Sequence, residues 1–201
     1  MDIFLLRHGA STANEARLVC GASDYPLSES GLKQARLVCR HLDSIPFTRI
    51  YSSPLSRAKQ TIAPMMTDLD VTIARELIEL DTGEASHLCV DELWTRDRRY
   101  RYQGLNPDLR YPAGESLNDM LKRVANWYRN ASLSWTRDEI VLVAGHEGTV
   151  CGILHHLLAL DIAHYPTFSI GNCDFVQITI NQDDQVRYRF VPLASIAGAA
   201  L

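Results

Sequence analysis

The run IVLVA at Ile140–Ala144 is β-branched and apolar without interruption, with acidic residues before it and a glycine after it. A strand with one wet face alternates polar and apolar residues. A continuous apolar strand is covered on both faces, as in the centre of a parallel sheet between helical layers. Met1–Leu6 reads the same way, and Arg49–Ser52 and Val71–Ala74 are further strand candidates. Phe175–Ile180 and Val186–Val191 alternate better and are separated by NQDDQ, so they read as a hairpin-like edge.

Helical patterns fill the intervals. Glu29–Leu42 carries Leu32, Ala35, Val38, Cys39 and Leu42 at helical spacing. Pro54–Met66 follows Ser53, which reads as an N-cap with proline at the first helical position. Gly114–Ala131 and Thr149–Leu160 are two more. The alternation predicts an α/β sandwich around a mostly parallel sheet. No repeat, low-complexity tract or linker divides residues 1–201, which read as a single domain with an irregular charged insertion at about 84–112.

The net charge of −4 gives no global attraction for nucleic acid or an anionic membrane, so an anion site would be a local basic cluster. No apolar run approaches the roughly 20 residues of a membrane span, and Arg7 comes too early for a secretory leader. Cys20, Cys39, Cys89, Cys151 and Cys173 are odd in number and lack CxxC spacing, against both a disulfide framework and a zinc site. Cys39 and Cys151 fit core positions. The expected compartment is a reducing cytoplasm.

Three strand candidates end on chemistry. Arg7 and His8 follow the first, with Gly9 free to turn sharply. Arg57 lies in the first helical turn after Arg49–Ser52, and His146 follows IVLVA. Ligands of open α/β sheets bind beyond the carboxyl ends of the strands. If these strands are adjacent and parallel, two guanidiniums and two imidazoles converge there as an anion site, arginine forks matching phosphate oxygens. Singly, each feature is ordinary: a strand-end arginine is usually a solvated charge, and a lone histidine is usually structural.

LLRHGASTAN, GASDYPLSESGLKQA, IYSSPLSRAKQT, ELIELDTGE, YPAGES and VAGHEG occur in this order. In these motifs the chain resembles the histidine phosphatase superfamily, the phosphoglycerate-mutase-like group, from about Asp2 to Cys173. The resemblance implies a three-layer α/β/α fold and metal-free, cofactor-free phosphoryl transfer through a phosphohistidine. It makes His8 the nucleophile and Arg7 and Arg57 the clamp on the phosphoryl oxygens. Asn14 donates a further hydrogen bond and His146 completes the phosphate pocket. Gly21 and Glu147, within the same motifs, are counted among the substrate-binding positions. Glu79, four residues before Gly83, takes the acid position, with Glu76 and Glu84 as alternatives. These roles suit the chemistry: neutral imidazole is a competent nucleophile, fixed cations stabilise the transferring phosphoryl, and a carboxyl protonates the leaving oxygen.

There are departures. RHGAS stands where the family usually has RHGET, GEASH where many members have GDWEG, and GHEG where SHGG or SHQG is commoner. The lost tryptophan bears on the pocket lip. Within the group the chain looks most like the α-ribazole phosphatases of cobalamin nucleotide-loop assembly. The expected activity is phosphomonoester hydrolysis of a small phosphorylated metabolite, with α-ribazole 5′-phosphate as the candidate substrate and a phosphoglycerate-mutase-type isomerase as the alternative. A non-catalytic module of the same fold is the third alternative. No nucleic-acid or membrane partner is expected, and the oligomeric state is open, with a dimer among the alternatives. The Arg/aromatic stretch at 94–102 reads either as arginines snorkelling over an aromatic face or as a lid on the substrate. His155, His156 and His164 lack a metal-binding motif.

Overall fold

The computed structural model describes residues 1–91, 93 and 106–197. Six strands form one sheet in the order β3-β2-β4-β1-β5-β6. They are β1 (Asp2–Arg7), β2 (Arg49–Ser52), β3 (Val71–Ile73), β4 (Ile140–Gly145), β5 (Phe175–Ile180) and β6 (Val186–Val191). The first four run parallel, while β5 joins β1 antiparallel and forms a hairpin with β6. The helices are α1 (Thr12–Glu15), α2 (Glu29–Leu42), α3 (Ser56–Ile62), α4 (Leu117–Ser132), α5 (Glu147–Leu157) and α6 (Leu193–Ala197).

The apolar strands are explained by two cores. Ile3, Leu5, Val141 and Val143 pack on one face against Met120, Val124 and Trp127 of α4 and Ile153 and Leu154 of α5. Phe4, Leu6, Leu142 and Ala144 pack on the other against Val38, Cys39 and Leu42 of α2 and Ile62 of α3. Successive strand residues point to opposite faces, so both sets must be apolar. The result is the expected three-layer α/β/α sandwich with a mostly parallel sheet. Cys39 and Cys151 are buried core residues, and burial pushes both thiols up to about 12.

The sequence-predicted elements need correction at several points. Ser53 does not hold the N-cap position of α3: Leu55 does, without a side-chain bond of its own, and the Ser53 hydroxyl accepts the Leu55 N–H at 3.3 Å while also meeting the His146 ring. The helix stops at Ile62 instead of Met66, because Pro64 supplies no amide to continue the helical hydrogen bonds. The predicted Gly114–Ala131 helix starts at Leu117, after Ser116 and Asp119 close a reciprocal cap. The predicted Thr149–Leu160 helix starts at Glu147, with Thr149 Oγ1 accepting the His146 N–H at 3.0 Å. Leu32, expected on the buried face of α2, is exposed. Ala74 leaves β3 and opens a short 3-10 turn, Arg75–Leu77.

The stretch 94–102 lies outside the described residues. Leu93 and Ala85 form a small cluster beneath Val19, Leu88 and Tyr111. Among the described residues no helix is long and apolar enough to cross a membrane.

Candidate active site

Parallel register brings the strand ends level. Arg7 pairs with Gly145, and Leu6 and Ser52 both pair with Ala144. The ladder runs one step further, with His8 N–H donating to Gly145 O at 3.0 Å and Ser53 N–H to Ala144 O at 2.9 Å. His8 and His146 are therefore neighbours on adjacent strands, their ring centroids 5.1 Å apart.

His8 is buried. Its Nδ1 donates to the carbonyl of Gly9 at 2.7 Å. That bond places the ring proton on Nδ1 and leaves the Nε2 lone pair available. Burial first, then the positive charges of Arg57 and Arg7, push its pKa down to about 3 against the opposing pull of the Gly9 carbonyl. The ring is neutral at physiological pH, as a nucleophile must be.

Arg57 is fully buried, an unusual place for a guanidinium, and every nitrogen has a task. Nη1 donates to Ser23 O at 2.7 Å, Nη2 to Gly21 O at 2.8 Å and Nε to His146 Nδ1 at 3.2 Å. Gly21 is needed at its position: its φ is +46°, and a Cβ would meet Thr82 Oγ1 at 2.2 Å. The other nitrogen of His146, Nε2, donates to Ser53 Oγ at 2.8 Å. His146 is thus neutral, its pKa held well below the usual value by burial and then by Arg57. Both its nitrogens are committed, so it orients Arg57 instead of adding a cation.

Arg7 pairs with Glu147 at 2.7 Å and donates to the carbonyl of Ile170. Glu147 therefore sits against Arg7 and fixes it. Arg7 Nε is buried without a partner. An orphaned buried donor is costly unless an acceptor arrives, and an anionic oxygen beside His8 would be one.

Glu79 lies against the start of α5. Gly148 N–H donates to its Oε2 at 3.0 Å and Leu80 N–H to its Oε1 at 2.9 Å. A helix N-terminus favours such a carboxylate. Arg123 secures the segment from behind, donating to Ile78 O at 2.8 Å and pairing with Glu115. The two alternatives sit apart from these contacts: Glu76 and Glu84 are exposed. Asn14 closes the cap of α1, its Oδ1 accepting Ser11 N–H at 3.0 Å, while its amide is directed at Cys20 Sγ, 3.9 Å away. The contacts thus join Arg7, His8, Gly21, Arg57, His146 and Glu147 in one cluster. Glu79 reaches it through the first turn of α5, and Asn14 through Cys20, next to Gly21.

Some participants were not assigned a place in the site from sequence. Ser53 holds His146, Gly148 leaves room for Glu79, and Asn172 Nδ2 donates to the His8 carbonyl at 3.0 Å. Ser53 and Gly148 lie inside quoted motifs, so their place was visible but not their task. Asn172 carried no motif. Among the described residues no three His, Cys, Asp or Glu side chains are grouped to hold a metal ion. His155 packs on Tyr165 and Phe168, and His156 on Tyr128.

The profile of the histidine phosphatase superfamily, branch 1, matches residues 3–190. The chain belongs to the histidine phosphatase superfamily. It is 33% identical over 182 residues to a protein of Yersinia pestis named "Probable phosphoglycerate mutase", covering 89% of this chain and 84% of that one. A namesake from Photorhabdus laumondii is 34% identical over 128 residues, 62% of this chain and 60% of the relative. Among solved structures, the α-ribazole phosphatase of Shigella flexneri superposes with a TM-score of 0.82 at 26% identity, covering 95% of this chain and 96% of that one. A mycobacterial glucosyl-3-phosphoglycerate phosphatase, solved with VO3, gives 0.82 at 25% identity, covering 95% and 97%. These two phosphatase structures therefore share nearly the whole fold with the chain.

Proposed function

We propose that the protein is a phosphomonoester hydrolase that works through a phosphohistidine on His8. The observation that carries this reading is the buried His8 with its ring proton held on Nδ1 by the Gly9 carbonyl, under the positive charges of Arg57 and of an Arg7 whose Nε lacks an acceptor. Nε2 attacks phosphorus as the ester P–O bond breaks, and Glu79 gives its proton to the departing oxygen. Glu79 then takes a proton from water as that water attacks phosphorus, the N–P bond breaks, and inorganic phosphate leaves. Arg7 and Arg57 face the charge carried by the phosphoryl oxygens throughout.

The substrate is a small phosphorylated metabolite. Likeness to the α-ribazole phosphatase structure and the shared motifs favour α-ribazole 5′-phosphate. The curated relatives named as mutases support a second reading, a phosphoglycerate-mutase-type isomerase. Only a modest segment separates Glu79 from Gly114, which leaves little chain to hold a second anionic group and favours hydrolysis. A screen for phosphate release from α-ribazole 5′-phosphate, 3-phosphoglycerate and sugar phosphates tests the choice. Release from a monoester without a bisphosphate primer is expected. Isomerisation that depends on such a primer, with negligible release, would establish the mutase instead.

A further inference from the structure

The carbonyl that sets the tautomer of His8 belongs to a glycine, the residue with the widest backbone freedom. It is nevertheless held on both sides. Gly9 N–H donates to Thr61 Oγ1 at 2.9 Å, and Ala10 N–H donates to Gln34 Oε1 at 2.8 Å. Between these two amides, the Gly9 carbonyl receives the His8 Nδ1 proton.

Each anchor is well defined. Thr61 is fully buried on α3, and its own hydroxyl hydrogen goes to the Arg57 carbonyl at 2.6 Å. Its oxygen is therefore left to accept from Gly9. Gln34 reaches across from α2, which crowds the loop so closely that a Cβ on Gly31 would lie 1.9 Å from the Ala10 carbonyl. The helix carrying Arg57 thus fixes the peptide before Gly9, and α2 fixes the peptide after it. Neither Thr61 nor Gln34 has a hydrogen bond to the imidazole.

Imidazole attacks through the nitrogen that lacks a proton. If the Gly9 carbonyl turned away, the ring proton could move to Nε2 and close the reactive position. The same carbonyl would face the ring after transfer, when Nε2 bears the phosphoryl and Nδ1 still carries its proton. We propose that Thr61 and Gln34 are positioning residues that hold the Gly9 carbonyl against His8 and keep Nε2 free to attack. This rests on His8 being the nucleophile.

The test compares Thr61→Val and Gln34→Leu with Thr61→Ser and Gln34→Glu, which keep an oxygen acceptor. Three quantities are read: the single-turnover rate of His8 phosphorylation by p-nitrophenyl phosphate, the affinity for inorganic phosphate, and the ¹⁵N ring shifts of His8. Thr61→Val and Gln34→Leu should each slow phosphorylation by about 10–100-fold, the usual cost of losing an orienting partner. Gln34→Leu should leave phosphate affinity within about twofold, and the ring spectrum should show a loss of the Nδ1–H form. The acceptor-retaining variants should recover most of the rate. Wild-type rates and an unchanged ring spectrum in Gln34→Leu would overturn the proposal, as would a loss confined to phosphate affinity. Because Gln34 lies outside the core of α3, its variants decide the matter if Thr61→Val does not fold. If the wild-type protein forms no phosphohistidine, the nucleophile reading fails, while the ring spectra still decide whether the two anchors set the tautomer.

Discussion

Arg57 Nε donates to Nδ1 of His146 at 3.2 Å, and the opposite nitrogen of that ring donates to Ser53 at 2.8 Å. The strand-end histidine after IVLVA is therefore a neutral strut for a buried guanidinium. The sequence reading brings two imidazoles and two guanidiniums together as an anion site and leaves open whether the second imidazole is charged or neutral. Burial decides between them: desolvation opposes protonation of His146, and Arg57 beside it adds to the effect.

Ser53→Ala should expose this dependence. It leaves the His146 Nε2–H buried without an acceptor, at a cost of about 1–3 kcal/mol in stability. Arg57 would lose its lateral support, so turnover of p-nitrophenyl phosphate and of an alkyl phosphate should fall by a similar factor. Urea denaturation and steady-state kinetics measure both effects. A loss restricted to the alkyl ester would contradict the assignment, because that pattern belongs to a defect in the acid.

The frame of the site was legible in sequence because β-strands have simple rules. A continuous apolar strand must be central, and chemistry must sit beyond its carboxyl end. Arg7, His8, Arg57 and His146 followed from that logic. Hydrogen-bond direction was not legible. Ser53 precedes Pro54 in a pattern that fits an N-cap, yet its hydroxyl serves a ring on another strand. Glu147 reads as a pocket carboxylate until its Arg7 partner is seen. These tasks depend on side chains that meet across about 90–140 residues of chain, where no local period reports them.

His8→Ala should lose several orders of magnitude in turnover, as removal of a nucleophile does elsewhere. Rapid quench of the wild-type protein should yield an acid-labile, base-stable phosphoprotein that is absent from the variant. Retention of near-normal turnover by His8→Ala would sink the covalent mechanism.

The low pKa of His8 also links stability to pH. Unfolded, the ring takes a proton near pH 6.5; folded, it does so only near 3. Between those values the unfolded chain binds more protons, so acidification favours unfolding. The contribution is fully present above about pH 6.5 and is lost progressively as the pH falls towards 3. From pH 7 to pH 5 the buried ring should cost about 2 kcal/mol. His8→Asn should show a correspondingly smaller loss of denaturant midpoint over that interval. Parallel pH dependences in the two proteins would show that His8 is not the group responsible.

In the proposed mechanism the positive charge at the phosphoryl comes from Arg7 and Arg57, with no metal ion beside them. Thorough chelation should leave turnover unchanged, while vanadate should inhibit by occupying the same clamp. Loss of activity on chelation, with recovery by one particular divalent metal, would refute this account.

Gly148 offers the sharpest test of the acid. A Cβ there would lie 2.2 Å from Glu79 Oε1 and 3.1 Å from its carboxyl carbon. The crowded atoms belong to the end of a flexible side chain, so Gly148→Ala can fold by pushing the carboxylate aside. The amide that held it, Gly148 N–H at 3.0 Å, then loses its partner. Alkyl phosphates release an alkoxide that needs a proton, whereas nitrophenolate leaves without one. Gly148→Ala should therefore slow phosphoryl transfer from an alkyl phosphate by up to the roughly 10²–10⁴-fold typical of losing a general acid. Transfer from p-nitrophenyl phosphate to His8 in a single turnover should change far less. Glu79→Gln should show the same selectivity, and adding it to Gly148→Ala should cost little more, since both changes disable one group. Equal slowing of both substrates by Glu79→Gln would move the acid to another carboxylate, with Glu84 and Glu76 the next to replace.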